Sequence, residues 1–166
     1  MGSWQPQMML KPNMIVSTAR GWLGTPFHHQ ASCRGVGADC LGLIRGVWRA
    51  QIGAEPARIP PYSPAWGALQ PQELLWQHLQ KYFSSMTIEM QPDGRLQNGA
   101  VIPDGSLLLF RLMAKGAANH LGIAAQRAGR PSFIHACHVK GVCEVDLTLK
   151  WRRRAVAIFR FPKRGF

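Results

Sequence analysis

Residues 35–53 read G-V-G-A-D-C-L-G-L-I-R-G-V-W-R-A-Q-I-G, and the folding of this stretch governs how the rest of the chain is read. Leu43, Ile44, Val47, Trp48 and Ile52 recur at helical spacing, Asp39 stands just before the first turn as a capping residue, and Gly53 marks the end. The pattern predicts a helix that opens at Cys40. A thiol there lies at the positive end of the helix dipole, where the thiolate is favoured and the pKa is expected to fall. A nucleophile needs that setting; a small buried cysteine at a helix start does not.

Upstream, Ile15, Thr18, Ala19, Trp22 and Leu23 repeat at helical spacing and stop at Gly24 and Pro26, which predicts a first short helix. Downstream, residues 55–71 hold Pro56, Pro60, Pro61, Pro64 and Pro71 and read as an ordered crossing. Pro71 then starts a third helix through Leu74, Leu75, His78, Leu79, Tyr82 and Phe83, with His78 on its apolar side. Beyond residue 85 the pattern changes to short apolar runs divided by turn signals, at 87–90, 106–113, 119–125, 132–136, 142–147 and 155–161. Helices followed by consecutive strands indicate an α+β fold, with helices packed on an antiparallel sheet.

Two histidines lie in that strand-rich half. His120 sits in N-H-L-G-I-A and His135 in S-F-I-H-A, and the intervening Q-R-A-G-R-P is turn chemistry. An even-numbered hairpin loop pairs residues whose numbers add to an odd sum, so His120 and His135 project from one face as direct or diagonal neighbours. One imidazole then orients the other. A nucleophile, a base and a group that fixes the base's tautomer form the catalytic triad in its cysteine version, here Cys40, His120 and His135.

The chain has 166 residues, 46% hydrophobic and 17% charged, a balance that suits one domain over residues 1–166 and excludes disordered and collagen-like chains. Lys and Arg number 20 against 8 Asp and Glu, and residues 101–166 hold 12 of the bases against 3 acids. Such a field favours an anionic partner. No DNA-reading helix or aromatic RNA motif accompanies it, so no specific nucleic acid is expected, and Trp151 with Arg152, Arg153 and Arg154 reads as a basic edge. No apolar stretch reaches the length of a membrane span, so no membrane insertion is expected, and the N-terminal residues lack the pattern of a secretory signal.

Four cysteines, Cys33, Cys40, Cys137 and Cys143, are expected as free thiols. His28, His29, Cys33 and Cys40 form one group along the chain, and His135, Cys137, His138 and Cys143 another. Neither holds the paired C-x-x-C knuckles of structural zinc sites, so no metal and no cofactor is expected.

Five ordered blocks carry a resemblance: A-R-G-W-L-G-T-P-F (19–27), A-D-C-L-G-L-I-R-G-V-W-R (38–49), P-D-G-S-L-L-L-F (103–110), N-H-L-G-I-A (119–124) and F-I-H-A (133–136). Together they resemble the NlpC-type cell-wall peptidases, a papain-like cysteine peptidase family, and in particular the versions encoded with the tails of bacteriophages and gene-transfer agents. The resemblance implies a papain-like fold with Cys40 as nucleophile, His120 as general base and acid, and His135 as the orienting residue. It also implies peptidoglycan cross-linking peptides as substrate and tail-hub or tail-tip proteins as partners. Such a chain is assembled in the cytoplasm onto a phage-like particle and acts in the envelope of a recipient cell. Two positions depart from the family pattern. Phe27 stands where a tyrosine hydroxyl is usual, and Leu41 where serine is frequent. Phe27 has no donor, so oxyanion stabilisation falls to backbone N–H groups such as that of Cys40 or to His28 or His29, with Asp39 a further candidate beside the substrate. The competing reading is a tail-hub module that keeps the fold without turnover.

Overall fold

The structure, a computed structural model, describes residues 11–63, 72–87, 96–97 and 99–163. Helix α1, Pro12–Arg20, begins at a proline whose fixed φ suits a first helical position, and it buries Ile15, Val16 and Ala19. Residues 21–24 continue as tight turns, with Trp22 and Leu23 donating to Ala19 and Arg20, so the helix ends before the predicted Leu23. Strands β1, Ser32–Cys33, and β2, Gly37–Ala38, form a small antiparallel ribbon. Helix α2, Cys40–Gln51, follows at once, capped by Asp39 as its sequence predicts. A side chain on Gly42 would put a Cβ 1.8 Å from the Ala31 carbonyl oxygen, so only glycine lets the first turn of α2 lie against the ribbon.

Helix α3, Leu74–Tyr82, buries Leu75 and Leu79. Pro71 lies outside the described residues. His78 is exposed rather than packed, because Leu75 and Leu79 occupy the buried stripe and leave the neighbouring position to solvent. A short strand β3, Ser84–Ser85, precedes the predicted strand at 87–90, of which residues 88–90 lie outside the described residues. The remaining strands are β4, Leu107–Phe110; β5, His120–Arg127; β6, Arg130–Cys137; β7, Gly141–Asp146; and β8, Ala155–Arg160, with a single-turn helix α4, Leu149–Arg152, before β8. They form one sheet in the order β3-β8-β4-β5-β6-β7, with every pairing antiparallel. The fold is α+β with an antiparallel sheet, as the change of periodicity predicts.

Alternation along the strands gives the sheet two apolar faces. Leu107, Leu109, Leu121, Ile123 and Ile134 pack under α1 and α2 against Val16, Ala19, Leu43 and Val47, and each such side chain removed from water contributes about 1.5–3 kcal/mol. Leu108, Phe110, Ala124, Phe133 and Ile158 build a second cluster on the other face, covered by Leu96, Leu147 and Trp151.

The β5–β6 hairpin fixes the histidines. Ala128 and Gly129, at φ 50° and 73°, make a two-residue turn with both residues in the left-handed region, the geometry that matches strand twist. The register pairs Arg127 with Arg130 and Ile123 with Ile134, so paired numbers add to an odd sum. His120 and His135 are therefore same-face diagonal neighbours, on the face of Phe110 and Phe133.

Candidate functional site

Asp39, 3% exposed, organises the start of α2. Its carboxylate accepts from the Gly42 N–H at 2.7 Å, from the Gln30 N–H at 2.7 Å and from the Tyr62 hydroxyl at 2.5 Å. These bonds clamp the 28–31 loop and the proline-rich crossing onto the helix that Cys40 opens. Both carboxylate oxygens are engaged as acceptors, so Asp39 holds the architecture around the thiol.

His120 and His135 form the second part. His120 Nε2 lies 2.8 Å from His135 Nδ1, so one of these nitrogens carries the shared proton. Phe110, Phe133 and Trp151 enclose the pair: Trp151 stacks on His120 with ring centroids 6.0 Å apart and meets His135 edge-on at 5.5 Å. Trp151 is thus part of the wall around the histidines, while the Arg154 guanidinium lies over its ring at 5.5 Å. The basic edge read from the sequence keeps its arginines and loses its tryptophan, because α4 turns that ring onto the sheet.

Cys40 opens α2 and packs on the helix-covered side of the sheet. Its thiol interacts with the backbone N–H of Leu121, the residue after His120, and with those of Leu41 and Cys40 itself. The thiol thus meets the backbone at the start of β5, next to the residue whose ring bonds His135, and among the described residues no hydrogen bond joins it to the His120 ring. Burial pushes the Cys40 thiol up to about 12, with the Asp39 carboxylate adding to the shift and the three N–H groups opposing it. The expected fall in pKa is therefore reversed, since desolvation outweighs the helix dipole. Burial also pushes His120 down to about 3, helped by its neighbour His135, and His135 down to about 4. Burial disfavours the charged form of each group, so the thiol and both imidazoles rest neutral.

Phe27 joins β2 through an isolated bridge to Ala38 and stacks on His138 at 4.6 Å between centroids. His28 is exposed and lies over Gly37. His29 turns its Nε2 to the Tyr62 carbonyl at 2.7 Å and its Nδ1 toward Asp39 at 3.7 Å. Tyr62 is the residue that sequence reasoning missed. Its hydroxyl donates to Asp39, and its proton is held more tightly by burial, by Asp39 and by the charge that Cys40 would carry as thiolate. The available signal was a lone tyrosine in P-P-Y-S-P, 23 residues beyond the aspartate it serves. Beyond Tyr62, a cavity of about 420 Å³ extends from Leu41 between α2 and α3, lined by Ile44, Trp48, Ile59 and Leu75.

Comparison with known proteins places the fold. No family model and no curated protein matches the chain by sequence. Solved structures do match. The NlpC/p60 domain of the peptidoglycan hydrolase SagA aligns over 90% of this chain and 98% of its own, with 18% identity and a TM-score of 0.54. NlpC1 from Trichomonas vaginalis aligns over 96% of this chain and 48% of its own, with 16% identity and a TM-score of 0.57. An N-acetylmuramoyl-L-alanine amidase from Bacteroides uniformis aligns over 92% and 99%, with 12% identity and a TM-score of 0.58. The chain has the NlpC/p60 papain-like fold and spans about half the length of the Trichomonas protein.

Proposed function

We propose that the chain is a cysteine endopeptidase that cleaves the cross-linking peptides of peptidoglycan. The observation that carries this reading is the bonded His120–His135 pair, with the thiol that opens α2 at the backbone N–H of Leu121 next to it in the chain, in a fold shared with proteins named as peptidoglycan hydrolases. His120 takes the Cys40 proton as Sγ attacks the peptide carbonyl, so the ion pair appears as the bond forms. His135 accepts from the His120 Nε2–H, which leaves Nδ1 free for the thiol proton and steadies the imidazolium. The Cys40 backbone N–H, at a helix N-terminus, faces the developing oxyanion. His120 then protonates the leaving amine, and water releases the acyl group with His120 again as base. The resemblance to tail-encoded peptidases extends the proposal to a phage-like tail, where the enzyme opens the envelope locally, with tail-hub or tail-tip proteins as neighbours.

Digestion of purified peptidoglycan, with fragments identified by mass spectrometry, tests the reaction. New peptide ends are expected from wild type and none from Cys40→Ala. The absence of a hydroxyl at Phe27 and the thiol pushed up to about 12 favour a second reading, a structural module without turnover. A folded wild-type sample that releases nothing establishes that reading instead.

A further inference from the structure

We propose that His135, Cys137 and Cys143 form a binding site for a thiophilic divalent cation, with Zn²⁺ the ion that the donor set suits, and that filling this site disables His120. The spacing along the chain gave no zinc knuckle, but the sheet assembles one donor set across two strands. Cys137 follows His135 by two residues on β6, and Cys143 on β7 stands directly opposite His135, so all three project from one face. One donor atom from each lies within 4.8 Å of the others. The two sulfur atoms are 3.8 Å apart. Tetrahedral Zn²⁺ with Zn–S bonds of about 2.3 Å requires sulfurs about 3.8 Å apart, whereas a disulfide requires about 2.0 Å. The separation, which two free thiols in a hydrogen-bond contact also adopt, already matches that of two thiolates on one cation, with a fourth position left for water. Two sulfurs and an imidazole are soft to borderline donors, a set that selects Zn²⁺ over Mg²⁺ or Ca²⁺. Both cysteines are half-buried, so a metal has a path from solvent, and both are free thiols.

Binding is a ligand exchange without electron transfer: each thiol gives its proton to solvent, and the metal exchanges waters for two Sγ atoms and a ring nitrogen of His135. Its effect on the neighbouring pair follows from tautomers, and this part rests on His120 as the base. In the working arrangement His135 Nδ1 accepts from His120, so the His135 proton is on Nε2. A metal on His135 Nδ1 takes the lone pair that holds His120. A metal on Nε2 sends the proton to Nδ1, which must then donate to His120 Nε2 and leave the His120 proton on Nδ1, facing the thiol. In the first case His120 loses the acceptor that orients it, and in the second it can no longer receive the Cys40 proton.

The test uses Co²⁺ as a visible substitute, added to the reduced full chain carrying Cys40→Ala, so that the thiol at α2 cannot bind. Saturation at one equivalent is expected, with thiolate-to-cobalt charge-transfer absorption and the visible bands of tetrahedral Co²⁺, both removed by Zn²⁺. Cys143→Ser, and separately Cys137→Ser, should weaken binding by at least tenfold while each variant keeps its cooperative melt. Loss of the bands in Cys40→Ala, their survival in the Cys137→Ser/Cys143→Ser double variant, or no saturable signal overturns the site. For the coupling, Zn²⁺ should slow iodoacetamide labelling of Cys40 in wild type and not in the double variant. Equal slowing in both means that the metal acts at Cys40 directly and overturns the coupling, whether or not the chain cleaves peptidoglycan.

Discussion

Removing the Tyr62 hydroxyl takes one of three donors from a carboxylate that is 3% exposed, so the cost is that of an under-satisfied buried charge rather than of a surface contact. Tyr62→Phe should lower stability by about 1.5–3 kcal/mol, read by urea denaturation, with Phe filling nearly the same volume and leaving the packing intact. A change below a few tenths of a kcal/mol would mean that Gln30 and Gly42 suffice for Asp39. A second residue-scale expectation concerns the thiol. Because burial, with the Asp39 carboxylate adding to it, holds Cys40 up to about 12, its ionisation depends on a proton acceptor within the same pocket. Iodoacetamide labelling of Cys40 at pH 7 should therefore fall by about 100-fold in His120→Ala, the size of effect typical of a positioned base. His135→Ala should cause a smaller loss, because the base remains and only its orientation relaxes. Peptide mapping gives both rates, and equal rates in wild type and His120→Ala would remove His120 from the account of the thiol.

Helix α2 and the β5–β6 hairpin carry the candidate site, and their legibility in sequence differs from that of their surroundings for a physical reason. Asp39 as a cap is a local contact, three residues from the N–H it receives, and the same-face relation of His120 and His135 follows from the parity of one short turn. Both depend on neighbours in the chain and were readable. Tyr62 reaches Asp39 along a proline-rich crossing that has no periodicity, so nothing in the sequence states where its ring lands. Trp151 followed by three arginines reads as surface until α4 turns it onto the histidines, and the Cys40 pKa depends on tertiary burial that a dipole argument omits. At this scale Asp39→Ala should do more than remove a cap. It leaves the Gly42 and Gln30 N–H groups and the Tyr62 hydroxyl without their acceptor, so the loss should reach about 2–4 kcal/mol against about 1 for an ordinary cap. Asp39→Asn keeps one acceptor oxygen and should recover part of that loss in the same denaturation series.

Over the whole molecule, the acidic residues Glu55, Glu73, Glu144 and Asp146 each pair with arginine and buried Asp39 is held by three donors, whereas the buried histidine pair is held neutral. That division makes acid stability a property of the buried histidines. In the unfolded chain a histidine titrates near 6.5, whereas in the fold His120 is held down to about 3 and His135 to about 4. Above pH 6.5 both states carry neutral rings and the histidines contribute no slope. As pH falls below 6.5 the unfolded chain takes up protons that the folded chain refuses, so stability declines with falling pH until the folded-state values are reached. The carboxylates Glu55 and Glu144 are held below the usual carboxylate range by their arginines and lose their stabilisation in the same direction, but only below about pH 4.5. The interval from pH 6.5 to 4.5 therefore belongs to the histidines, and at pH 5 each is expected to remove about 2 kcal/mol. Urea denaturation in chelator-containing buffer should show wild type losing roughly 4 kcal/mol between pH 7 and pH 5. The His120→Asn/His135→Asn double variant should lose little over that interval, and an equal slope in both proteins would show that the pair ionises freely inside the fold.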